Sequence, residues 1–74
     1  MIRIKTQLGS NRIYTLPFTG GWVTIITING EVSSIDAKSF YDAGQNHLAY
    51  CQKLVEIHLI EQESHHEAST QTLL

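Results

Sequence analysis

The sequence is short of cysteine, of charge and of long apolar runs, and each shortage removes a class of protein. One cysteine, Cys51, among 74 residues excludes an internal disulfide and a zinc site built on paired cysteines, and it fits a reducing, intracellular setting. Only 16% of residues are charged, with five Lys plus Arg against seven Asp plus Glu for a formal charge of −2. At chain level that is no footprint for binding a polyanion, and too little acid to mimic one. No stretch approaches the ~18 apolar residues of a membrane span, and no apolar run of signal-peptide length follows Arg3 and Lys5. The expectation is therefore a cytoplasmic protein with no membrane partner. A chain of this length buries only roughly 60% of the surface its unfolded form exposes. Its 42% of hydrophobic residues suffice for one small core and leave some apolar groups outside.

What is present reads as a strand-rich first half, one long helix and a polar tail. Ile2, Arg3, Ile4 and Lys5 alternate with the period of two that marks a strand over Met1 to Lys5. Leu8-Gly9-Ser10-Asn11 is a turn, followed by a short strand over Arg12 to Leu16. Pro17 lacks a backbone donor and Gly20-Gly21 are flexible, so 17–21 reads as a connection between strands. The run from Trp22 to Ile28 is almost wholly β-branched or aromatic, with Trp22, Ile26 and Ile28 on one face and Val23 and Ile25 on the other. Apolar groups on both faces imply a central strand, or one whose second face meets another chain. Asn29-Gly30 is a strong type I′ hairpin signal, because both central residues of that turn need positive φ. A short strand over Glu31 to Ser33 returns from it.

Ser33 or Ser34 can cap a helix, and Asp36 would then sit in its first turn, so the pattern predicts a helix from Ile35 to about Glu63. At about 100° per residue, Phe40, Tyr41, Gly44, Leu48, Cys51, Leu54, Val55 and His58 share one broad face expected to pack on the sheet. Ala37, Tyr41, Gly44, Leu48, Cys51, Val55 and His58 also follow a four-three spacing that suits a helix-on-helix seam. Gly44 costs a helix interior about 1 kcal/mol relative to alanine, which a close backbone approach from Trp22 or from a partner helix would explain. The predicted fold is α+β: three or four antiparallel strands with one long C-terminal helix across one face, as a single domain over 1–63 with a flexible polar tail over 64–74.

The residues with chemical potential are few. His47, Cys51, His58 and His65 lie within about 40° of one another around the helix axis. The i, i+4 pair His47/Cys51 suits chelation by one helix, and a second chain could complete a zinc-binding dimer. The plainer reading puts both on the sheet-packing face, with His47 semi-buried on one hydrogen bond and Cys51 acting as a small hydrophobe. A mid-helix cysteine on an apolar face lacks the electropositive setting of a nucleophile. The carboxylates Asp36, Asp42, Glu56, Glu61 and Glu63 read as a solvated face. Gly20-Gly21 precedes a strand, whereas a phosphate loop follows one. No catalytic residue, metal or cofactor is assigned.

Recognition of a larger intracellular protein remains the favoured function. Arg12, Tyr14, Phe18 and Trp22 form the candidate contact patch, since aromatic and arginine side chains dominate binding hot spots. Tyr50, Ile57 and Ile60, off the main apolar face, form a candidate homodimer edge that would enlarge the small core. From size alone, and not from any residue, the expectation is a regulator or inhibitor, including the kind carried by phages and other mobile elements, such as an anti-defence inhibitor. The alternative is a small nucleic-acid-binding regulator using Arg3, Lys5 and Arg12 with the nearby rings.

Overall fold

The structure, a computed structural model, describes the backbone of residues 2–73 and the side chains of residues 2–62. The side chains of the expected polar tail over 64–74 lie outside that set. Four strands, β1 (Ile4–Leu8), β2 (Asn11–Phe18), β3 (Gly21–Ile28) and β4 (Glu31–Ala37), precede one helix, α1 (Phe40–Leu73). The strands pair antiparallel in the order β1-β2-β3-β4, and α1 lies across one face of the sheet. This is the α+β architecture that the alternation of strand and helix patterns implied.

Tight turns set the register. Asn29 (φ 53°) and Gly30 (φ 83°) both take positive φ between the paired residues Ile28 and Glu31, as a type I′ turn demands. The Asn29 amide also donates to Asn11 Oδ1 at 2.9 Å, which ties this turn to the start of β2. Gly21 is required for another reason: a Cβ there would run into the Ala37 carbonyl oxygen, so β3 can start beside the end of β4 only without a side chain.

Several expected boundaries move: β1 runs over Ile4–Leu8 rather than Met1 to Lys5, and α1 continues beyond Glu63 to Leu73. Pro17 belongs to β2, opposite Trp22, and not to a loop. The β1 pairing stops at Ile4 opposite Thr15, so β2 is an unpaired edge on that side by Pro17, where a missing donor is tolerated. Similarly, Ser33, Ser34 and Asp36 pair with Ile26, Ile25 and Val23 in β4 rather than opening the helix. The cap is Ser39, whose Oγ accepts from the Asp42 amide at 3.1 Å and whose carbonyl accepts from the Ala43 amide at 3.0 Å. Serines at 33 and 34 cap as well in principle as Ser39; the pairing with β3 decides between them.

The core lies between helix and sheet. Ile13, Ile26 and Leu54 are buried, with Leu8, Ile28, Ile35, Tyr50 and Cys51 packed around them. At the helix start the Phe40 ring meets Trp22, with centroids 4.8 Å apart and planes tilted by 52°. The sheet-side stripe of α1 is thus Ala43, His47, Tyr50, Leu54 and Ile57, all buried or half-buried. The expected sheet face is corrected here: Tyr41, Leu48 and Val55 stay 73%, 58% and 49% exposed. Both stripes have three-four spacing, and the narrower inner one wins because small Ala43 lets the helix approach while His47 finds polar partners below.

Candidate functional site: an uncovered sheet face and a buried histidine

His47 is buried at 3% exposure, the most enclosed titratable side chain among the described residues. Strand pairing places Thr6 on β1, Thr15 on β2 and Thr24 on β3 on the face beneath it. His47 Nε2 lies 2.8 Å from Thr6 Oγ1 and Nδ1 lies 2.8 Å from Thr15 Oγ1. Thr15 and Thr24 share a further hydrogen bond of 3.0 Å, and the Cys51 thiol donates to Thr6 Oγ1 at 3.3 Å. In either tautomer one ring nitrogen donates and the other accepts, and a hydroxyl serves both roles. Among the described residues no buried side-chain polar atom is left without a partner. Burial disfavours the charged ring and lowers the His47 pKa below its ordinary 6.5.

Chemically, this arrangement fastens a helix to a sheet. The imidazole is bonded to two threonines rather than to Cys51, so the thiol and the ring do not form a nucleophile–base pair. Both ring nitrogens are engaged, and a metal on His47 would displace one of those bonds. Among the described residues no group of three or more His, Cys, Asp or Glu is placed to hold an ion; His65 lies outside the described side chains. Sequence reasoning put His47 on the sheet side but missed its partners. The signal was there in Thr6, Thr15 and Thr24, which share the inward parity of three adjacent strands.

Among the described residues the other face of the sheet carries no helix. Register puts Lys5, Tyr14, Ile25 and Ser34 in one row across it, with Gln7, Arg12, Thr27 and Val32 in the next. Leu16 and Phe18 follow Arg12 and Tyr14 on the same side of β2. Three of the four residues expected in a contact patch, Arg12, Tyr14 and Phe18, are therefore together. Trp22 has the opposite parity and packs on Phe40. It meets Phe18 only at the end of the sheet, where both line a groove of about 470 Å³ with Asp36, Lys38 and Asp42. Lys5 Nζ stands 5.7 Å and the Arg12 guanidinium 5.9 Å from the Tyr14 ring centroid, within cation–π range.

The net charge of −2 hides a division. Before the helix, Arg3, Lys5, Arg12 and Lys38 face Glu31 and Asp36, a formal +2; the helix carries Lys53 against Asp42, Glu56, Glu61, Glu63 and Glu67, a formal −4. The expected self-association edge divides as well: Tyr50 packs on the core, Ile57 is half-buried and Ile60 is 61% exposed. Among the described residues no helix is long and apolar enough to cross a membrane. No protein-family model, curated protein or solved structure matches this chain.

Proposed function

We propose that the protein is a small, non-enzymatic, intracellular binding module that regulates a larger protein by occupying an acidic, partly apolar surface on it. The uncovered sheet face is the contact surface. The supporting observation is its composition: Val32 is 68% and Phe18 63% exposed on the same face as Arg12, Tyr14 and Lys5. Aliphatic and aromatic groups beside cations suit a protein hot spot, with the charges steering encounter.

Single-stranded nucleic acid is the competing partner, because cations and rings share this face. Stacking of successive bases needs several free aromatic faces, however, and Lys5 and Arg12 flank the Tyr14 ring from two positions, which leaves Phe18 as the exposed ring of this face. Site-specific photocrosslinking from position 18, in the cell that makes the protein, separates the two readings. The proposal expects one crosslinked protein species that disappears with Arg12→Glu. Crosslinks to nucleic acid alone, or the same species from a probe at every surface position, would overturn it.

A further inference from the structure

The outward stripe of α1 has no role in the fold. Tyr41, Leu48 and Val55 recur every seven residues and Leu59 extends them, and all four are about half or more exposed. Between Tyr41 and Leu48 lies Gly44, and a Cβ built on it meets no atom within 4 Å. Nothing among the described residues therefore requires glycine, neither Trp22 nor any other, although a mid-helix glycine is unfavourable relative to alanine. Its missing side chain leaves an apolar groove of about 400 Å³ between helix and β1, walled by Ile4, Phe40, Tyr41 and Leu48.

We infer that this stripe is the contact surface for a second copy of the chain, with Gly44 where the two helices come closest. Three observations select that occupant. A repeat of seven is the spacing by which helices pack along one another. The stripe itself is also uncharged: Gln45 and Gln52 flank Tyr41, Leu48 and Val55 on one side and Gly44 and Cys51 on the other, so two copies meet there without like charges opposed, and Glu56 and Glu63 adjoin only the Leu59 end. Lastly, α1 has 34 residues against 8 in the longest strands, or about 51 Å of helix over about 27 Å of strand. The overhang beyond the sheet, from near Leu59, finds support against another helix. The interface lies on the side of the molecule away from the uncovered sheet face, so it stands or falls independently of the function proposed above.

Sedimentation equilibrium on the full chain, from micromolar to millimolar concentration, tests it. The expected mass rises from 8.3 kDa to twice that value. Leu48→Glu holds it at the lower value with unchanged far-UV circular dichroism, because position 48 is outside the core. Gly44→Ala is the decisive variant. Within one chain the added methyl enters open space and raises thermal stability, whereas at a helix crossing it weakens the dimer about tenfold in dissociation constant. A wild-type chain that stays at 8.3 kDa at millimolar concentration overturns the inference. So does a dimer that Gly44→Ala and Leu48→Glu leave equally tight.

Discussion

The two faces of the sheet are built from the same strands and similar side chains, yet they end in opposite environments. Toward α1, Ile13 and Ile26 pair across β2 and β3 and are closed off by Leu54. On the other side, Tyr14 and Ile25 pair in the neighbouring row with no element among the described residues laid over them. A single helix can close one face only, and the difference shows what recruits it. The inward rows carry small hydroxyl residues that accept an imidazole; the outward rows carry cations and a ring that would have to be desolvated. The polar groups of β1, β2 and β3 thus choose the side on which the helix lies, while apolar burial supplies most of the attraction.

Substitutions can break this contrast with effects of graded size. Leu54→Ala empties the centre of the closed face and should cost about 2–5 kcal/mol in denaturant unfolding, whereas Val32→Thr on the open face should stay within about 0.5 kcal/mol. Equal costs would mean that both faces are covered in solution. Thr15→Val keeps the shape but strands His47 Nδ1 and Thr24 Oγ1, and should cost about 1–3 kcal/mol with no change in far-UV circular dichroism. A neutral result would show that the hydroxyl network contributes nothing to the docking of α1.

Acid should act through the same histidine. Its folded pKa lies below the ordinary value, so the unfolded chain binds the proton more readily than the folded one. His47 therefore contributes stability in full above about pH 6.5, and that contribution shrinks as pH falls through the window below it. Urea midpoints measured across that window should decline with acid in the wild type and decline less in His47→Gln. A midpoint that rises with acid would reverse the sign assigned to burial. The smallest effect expected on folding comes from Arg12→Ala: near-neutral for stability, but weakening capture by the partner at low salt more than at high salt.

The parts of this contrast that were legible in the sequence are those carried by local chemistry. Asn29-Gly30 specified its turn because few other residue pairs adopt that backbone, and the alternation from Trp22 to Ile28 separated Ile26 from Ile25 onto the two faces that the register shows, without saying which face the helix covers. Boundaries set by pairing were not legible. Ser33 and Ser34 have the chemistry of caps, and only the register with Ile26 and Ile25 shows them to be strand. Pro17 looks like a break until β1 is seen to end before it. Nor does helical periodicity distinguish the stripe of Ala43, His47 and Leu54 from that of Tyr41, Leu48 and Val55, since both recur at three and four. The choice depends on three threonines distant in sequence, brought under His47 by the sheet.

Solution NMR distances around His47 test the central claim, that α1 docks by its histidine stripe, most directly. Nuclear Overhauser contacts should link the imidazole protons to the methyl groups of Thr6 and Thr15, and Leu54 to Ile13 and Ile26, with none from Leu48 or Val55 to β2 or β3. Contacts from Leu48 and Val55 to those strands, with the His47 ring in rapid exchange with water, would contradict it.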